Sequence, residues 1–357
     1  MRKRLPYLLL CFFLTWFNAE GQNFFTNPLL SSGADPWVIE SKGNYYYTHT
    51  TGRNLVLYKT SSLAGLKTAE RKVIWTPPDS TMYSKQIWAP ELHRIDNKWY
   101  FYFAADDGKN ENHRLYVLEN RNEDPMQGEW TFKGKIADSS DKWAIDGSVF
   151  QHKAQWYMIW SGWEGDVNKQ QDIYIAKLKN PWTIDGKRVR ISSPVFDWER
   201  HGDLNDVNNP PHVAVNEGPQ ILRNKDHLFI VYSASGCWTD YYGLGLLRFT
   251  GKENLLDSSS WEKSTEPVFT TSLEDKVFAP GHNSFFTSPD GKEDWILYHA
   301  NNEPGLGCGR NRAPRAQKFT WNKDGTPNFG KPVKAGLKLP APSSNNKTKK
   351  VSPAMIE

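Results

Sequence analysis

Cysteine is nearly missing from this chain, with three residues in 357. Cys11 lies in the extreme N-terminal stretch, so Cys237 and Cys308 are all that remain for the body of the protein. Two cysteines cannot make a disulfide framework, and no Cys/His pair stands at zinc-ligand spacing. They leave two readings open: one bridge, or two separate buried thiols. Glycine patterns that cradle phosphate are also absent. The run at 305–309 is glycine-rich but lacks a strand-to-helix context, which argues against a nucleotide-dependent enzyme. The formal net charge is only +4, and no block of five or six like charges occurs. A nucleic-acid partner is therefore not expected. Long apolar runs are missing but for one, residues 5–17, which follow the basic Arg2-Lys3-Arg4. That run is too short to cross a bilayer of roughly 30 Å comfortably. With small residues at Ala19 and Gly21 it reads as a secretory signal peptide over residues 1–21. The mature protein is then secreted or periplasmic, with no membrane partner after cleavage.

Helical periodicity is scarce as well. What fills the chain is aromatic residues, 14% of the total, gathered into runs between turn signals. Five segments repeat one pattern. Each opens on a short polar signature: Ala34-Asp35-Pro36, Ala89-Pro90-Glu91, Ile145-Asp146-Gly147, Asn216-Glu217-Gly218-Pro219 and Pro280-Gly281-His282. A few apolar residues and a polar turn follow, then a run such as Trp99-Tyr100-Phe101-Tyr102-Phe103 or Trp156-Tyr157-Met158-Ile159-Trp160. The signatures recur at intervals of about 56, 55, 71 and 65 residues, near the periods that denote propellers or solenoids. The expected fold is all-β, a five-bladed β-propeller of radially arranged four-stranded antiparallel blades over residues 22–340. A loose tail over 341–357 follows, where Pro, Ser, Asn and Lys take over. Two polar inserts, 162–171 and 201–215, are candidate pocket walls.

If equivalent positions of a radial repeat face one axis, Asp35, Asp146 and Glu217 meet there. Carboxylates brought together repel, which raises the pKa of at least one. One can then donate a proton while another activates water, the pair that glycosidic hydrolysis needs. The alternative is that the three acids merely brace the blade starts. Glu91 reads as structural. His282 is a core histidine, a substrate contact or part of a metal or water site.

The signatures Ala34-Asp35-Pro36, Trp88-Ala89-Pro90-Glu91, Ile145-Asp146-Gly147-Ser148, Asn216-Glu217-Gly218-Pro219 and Pro280-Gly281-His282-Asn283-Ser284 resemble the blade signatures of glycoside hydrolase family 43, in order, over residues 30–335. The resemblance implies an inverting mechanism with Asp35 as general base, Glu217 as general acid and Asp146 as the residue that tunes and orients the acid. Stretches such as 87–96 and 321–330 resemble the α-L-arabinofuranosidase members, exo-acting enzymes on arabinan included. The implied partner is an arabinose-containing oligosaccharide or polysaccharide, with β-xylosidase activity or a non-catalytic sugar-binding propeller as alternatives. Arg315 resembles the family's basic sugar contact, and Trp88, Trp160 and His282 are further candidate contacts, although either tryptophan also reads as blade core. No cofactor is required. The family often holds calcium near the axial histidine through water, which puts His282 forward as the residue beside such an ion.

Overall fold

The computed structural model describes residues 24–202, 213–251 and 254–344. The expected leader, residues 203–212 of the second insert and residues 345–357 of the tail lie outside them. After β1 (Phe24–Thr26), five antiparallel sheets follow in chain order. The first is β2 (Trp37–Ser41), β3 (Asn44–Thr48), β4 (Leu55–Thr60) and β5 (Glu70–Trp75). The second is β6 (Lys85–Ile95), β7 (Lys98–Asp106), β8 (Arg114–Asn120) and β9 (Thr131–Ile136). The third is β10 (Ala144–His152), β11 (Gln155–Gly162), β12 (Gln170–Asn180) and β13 (Thr183–Ser192). The fourth is β14 (Ala214–Asn224), β15 (His227–Ala234), β16 (Gly243–Phe249) and β17 (Trp261–Lys263), and the fifth β18 (Phe278–Thr287), β19 (Asp294–Asn301), β20 (Ala313–Trp321) and β21 (Pro327–Asn328). A last strand, β22 (Lys338–Pro340), pairs with β1.

The hairpins have physical causes. Asp96 and Asn97 both take positive φ (48° and 61°) between β6 and β7, the turn whose twist matches its flanking strands. Lys153 and Ala154 adopt the same geometry between β10 and β11 (46° and 64°). Neither residue is a turn former, so here the strands impose the turn.

The first strand of each sheet packs against the first strand of the next: β2 on β6, β6 on β10, β10 on β14, β14 on β18, and β18 back on β2. The ring is closed, and the fold is a five-bladed β-propeller. Five apolar clusters fill the five interfaces between blades. Because strand side chains alternate, one aromatic run serves two neighbours. Trp99, Phe101 and Phe103 enter the cluster shared with the first blade, and Tyr100 and Tyr102 the one shared with the third. Each such ring, fully buried, contributes about 1.5–3 kcal/mol. A short parallel pairing of Gln170 and Gln171 with Ala214 and Val215 joins the third and fourth blades.

One seam between these two blades is polar. Glu199, fully buried, accepts from the Val195 and Phe196 amides, the Asn216 side chain, the Tyr232 hydroxyl and Lys263 Nζ at 2.7–3.0 Å. Burial raises its carboxyl, but Lys263 and these donors outweigh that and hold it ionised. Lys263 itself is drawn down by burial. The two directions describe one pair whose members are both well bonded, Glu199 by five donors and the Lys263 ammonium by Ser193 O, Glu199 and Asn216 Oδ1, and the 2.7 Å contact keeps both charged. Lys263→Ala leaves that carboxylate uncompensated and is expected to cost about 3–5 kcal/mol, read by urea unfolding at neutral pH.

Candidate active site

Every inner strand has a left-handed residue at its entry to the ring: Asp35 (φ 56°), Ala89 (43°), Asp146 (57°), Gly218 (54°) and His282 (47°), with a second one three residues earlier in β6 (Gln86, 47°) and β18 (Ala279, 51°). In β6, β10, β14 and β18 this residue sits in a break of register, between Trp88 and Glu91, Ile145 and Ser148, Glu217 and Gln220, and Gly281 and Ser284. The breaks correct the alignment expected from sequence. Asp35 and Asp146 do share a position, but Glu217 precedes it by one residue and Glu91 follows it by two. Left-handed φ costs a non-glycine residue about 1–2 kcal/mol, and Asp35 and Asp146 both bear it.

Asp35 is 8% exposed. Thr50 Oγ1 donates to its Oδ2 at 2.6 Å and Arg312 Nη1 to its Oδ1 at 3.2 Å, with His282 Nδ1 3.4 Å from the same oxygen. Burial alone would raise this carboxyl. Arg312 above all, with the His282 ring and the Thr50 hydroxyl, outweighs it and holds Asp35 well below the usual carboxylate range. The Asp35 amide donates to His299 Nδ1 at 3.1 Å, so His299 keeps its proton on Nε2 and is neutral, as its burial also demands.

Glu217 is governed the other way. Burial pushes it up to about 7, although the Tyr242 hydroxyl, donating to Oε1 at 2.8 Å, pulls it down. Asp146 is raised well above its ordinary value by burial, then by Glu217 and Asp35, while the Gly218 amide donates to its Oδ2 at 2.9 Å. Two neighbouring carboxyls, each with one donor and no cation of its own, retain a proton between them near neutrality. The site thus holds one firmly ionised carboxylate beside a pair that shares a proton.

Beneath this layer the positions after the register breaks interlock. Gln220 donates to Glu91 Oε1, Ser148 donates to Gln220 at 3.2 Å, and His93 Nε2 lies 2.8 Å from Glu91 Oε2. Glu91 is bound up in this bracing. Gly281 is obligatory next to it, since a Cβ there would lie 2.1 Å from Tyr242 Cε1.

The sequence pattern of the glycosyl hydrolases family 43 matches residues 25–327. This chain belongs to glycosyl hydrolase family 43. It is 39% identical to an extracellular exo-α-(1→5)-L-arabinofuranosidase of Streptomyces avermitilis over 88% of this chain and 64% of that protein. It is 37% identical to a protein of the same description from Streptomyces chartreusis, over 77% of this chain and 82% of the other. The crystal structure of an α-L-arabinofuranosidase from Lactobacillus brevis superposes with a TM-score of 0.80 at 37% identity, covering 88% of this chain and 98% of that one. The chain spans less than two thirds of the length of the Streptomyces avermitilis protein.

Not every expected contact of this family 43 protein reaches the carboxylates. Trp88 is half-buried and stacks 4.1 Å from His113, itself held by Asp106 at 3.1 Å. It occupies the position equivalent to Glu217. Trp160 is 3% exposed inside the cluster between the second and third blades, beside Tyr174. That makes it blade core and not a stacking surface. Arg315 is fully buried within β20, its guanidinium donating to Val333 O at 3.0 Å and to Asn302. Arg312, just before that strand begins, is the arginine that faces Asp35. Sequence reasoning missed it, as it missed Tyr242, Thr50 and His299, because all four come from loops and second strands placed only by the closed ring. The two cysteines, left open by sequence, are bridged, with Cα atoms 5.2 Å apart.

A directly bound calcium would need six to eight oxygen ligands. Around His282 the nearby oxygens are already engaged, Asp35 by Arg312 and Thr50, Glu91 by Gln220 and His93. Among the described residues no group of three or more His, Cys, Asp and Glu side chains is set to hold a metal. This donor set does not fit a direct calcium cage.

Proposed function

We propose that this protein is a secreted, inverting, exo-acting α-L-arabinofuranosidase that removes terminal arabinofuranosyl units from arabinan or other arabinose-containing chains. The observation that carries this reading is the opposed surroundings of the two acids: Asp35 accepts from Arg312 and Thr50, whereas buried Glu217 has the Tyr242 hydroxyl and no paired cation. Ionised Asp35 takes a proton from water as its oxygen attacks the anomeric carbon. Glu217 gives its proton to the departing glycosidic oxygen, as inverting hydrolysis requires. Asp146 shares the retained proton with Glu217: ionisation of either carboxyl opposes loss of the proton from the other, which keeps a proton beside the leaving oxygen. Trp88 and His282 flank the reacting sugar. Inversion is the outcome of the family, and the sugar is drawn from the Streptomyces and Lactobacillus relatives. Two of these are described as extracellular, in keeping with the signal peptide expected from the sequence.

The test is a hydrolysis series with purified protein on 1,5-linked arabino-oligosaccharides, arabinoxylan, and the aryl α-L-arabinofuranoside and β-D-xyloside, with proton NMR of the first-formed sugar. Arabinose released singly from chain ends as the β anomer is the expected result. Dominant xyloside turnover or first release of the α anomer overturns it.

A further inference from the structure

We infer that the Cys237–Cys308 bridge is a positioning device for catalysis, clamping together the two rim loops that deliver Tyr242 to Glu217 and Arg312 to Asp35. This rests on the roles proposed above for those carboxylates. Cys237 lies in the loop between β15 and β16, residues 235–242, whose last residue is Tyr242. Cys308 lies in the loop between β19 and β20, residues 302–312, whose last residue is Arg312. One crosslink spanning 71 residues of sequence therefore joins the support of the acid to the support of the base.

The second loop needs such a clamp. Residues 302–305 and 309–311 are exposed, and none of residues 302–312 is buried. Glycines at 305, 307 and 309 add backbone freedom, with Gly305 and Gly307 at φ 71° and 59°. Apart from the bridge, few contacts hold its middle. The Asp240 carboxylate accepts from the Gly305 amide at 2.9 and 3.0 Å, Asn301 Nδ2 donates to Gly307 O at 3.1 Å, and Gly307 sits against the Trp238 backbone. Exposed contacts of this kind contribute little against the entropy of a long loop. Three of these anchors, Cys237, Trp238 and Asp240, belong to the loop that carries Tyr242, so the two loops hold each other. The Trp238 indole in turn packs on the flat faces of Gly202 and Gly236, which roots the first loop in its blade.

The Arg312 carbonyl is fixed by the Gly33 amide at 3.0 Å, but its side chain leans on the second loop, with Nε donating to Gly309 O at 3.4 Å; loosening that loop therefore lets Nη1 leave its 3.2 Å contact with Asp35. Asp35 also faces His282 from β18, His299 from β19, Thr50 and His49 from the loop after β3, Tyr47 from β3, Asp146 from β10, Glu217 from β14 and the un-ionised Tyr242 from the loop before β16. Of these groups only Arg312 stands on the loop that Cys308 tethers. Its withdrawal moves the Asp35 titration upward, and an acid limb enters the pH–rate profile.

The experiment compares oxidised protein, protein fully reduced by excess dithiol (two thiols formed, the dithiol oxidised, thiols counted), reoxidised protein, and the Cys237→Ser/Cys308→Ser double variant. All are assayed on an arabino-oligosaccharide well below their melting temperatures. The expected result is a fall in kcat of about five-fold or more, with KM changed less and the acid limb at higher pH. Reoxidation restores the wild-type protein, and dithiol does not affect the double variant. A smaller fall in kcat overturns the inference, even if the melting temperature drops, because the bridge is then only a staple. Should oxidised protein hydrolyse no arabinofuranoside, the proposed function fails by itself. The bridge is then judged by carbon-13 NMR of the Asp35 carboxyl, identified with Asp35→Asn. An upward titration shift on reduction upholds it and an unchanged titration overturns it.

Discussion

Asp35→Asn is expected to lower kcat on an arabino-oligosaccharide by about 10³–10⁴-fold, with the fold intact by circular dichroism. The substitution keeps size and one of the two acceptor oxygens, so the amide can accept from Arg312 Nη1 or from Thr50 Oγ1 but not from both, and it removes the only firmly ionised carboxylate of the three. An amide takes no proton from water at any working pH, so the nucleophile is not activated. KM should change far less than kcat, because what is lost is an interaction made as the water is deprotonated. The loss should be similar on aryl and natural substrates, since the base acts on water whatever the leaving group. An external nucleophile that needs no deprotonation, such as azide, is expected to restore part of the turnover of an aryl arabinofuranoside. Retention of more than a tenth of wild-type kcat on the oligosaccharide would remove Asp35 from the base role. The variant also bears on stability. Wild-type Asp35 is held below the unfolded carboxylate, so its contribution is present above the ordinary range and is lost as pH falls through the lowered value. In Asp35→Asn that acid sensitivity is absent, although Arg312 then lacks its counter-charge.

The blades were legible in the chain because two local signals agree in each of them: a turn, and a run whose alternate residues are all apolar. A run such as 99–103 with no polar face predicts a strand buried on both sides, which is what a blade between two neighbours is. The same rule placed Trp160 ambiguously, since alternation assigns a residue to one side of a sheet without saying which side meets the pocket. The acids were legible to within one residue. The break of register is created by a left-handed residue, and aspartate in two blades but glycine in a third adopts it, so matching acid to acid shifted Glu217 by one. The supports were not legible. Arg312 and Arg315 flank Pro314 in similar company, and only the start of β20 between them decides which points to the rim. The Glu199–Lys263 pair is 64 residues apart, and Tyr242 meets Glu217 across a loop. Such pairings follow from ring closure and loop course, which no local spacing encodes.

Glu217→Gln is expected to separate substrates by leaving group. With an arabinose hydroxyl departing, the bond cannot break without protonation, and kcat should fall about 10³–10⁴-fold. With 4-nitrophenolate, stable as an anion, the fall should be about ten-fold or less. An equal fall on both would show that Glu217 does not protonate the leaving oxygen. Wild-type activity should decline on the alkaline side with an apparent pKa near the value of about 7 to which burial pushes Glu217, while Asp35 stays ionised well into acid. In Glu217→Gln the residual aryl activity should lose this alkaline limb. Stability supplies an independent check with the opposite sign to Asp35. Because the folded acid is raised, the folded chain binds more protons than the unfolded one between the ordinary glutamate value of 4.5 and about 7. Its contribution is therefore full at low pH and declines as pH rises through that window. The amide has no charge to bury, so Glu217→Gln should melt close to wild type at pH 5 and above it at pH 8. That crossover follows only if the acid is kept protonated at the expense of the fold, the condition on which its catalytic role depends.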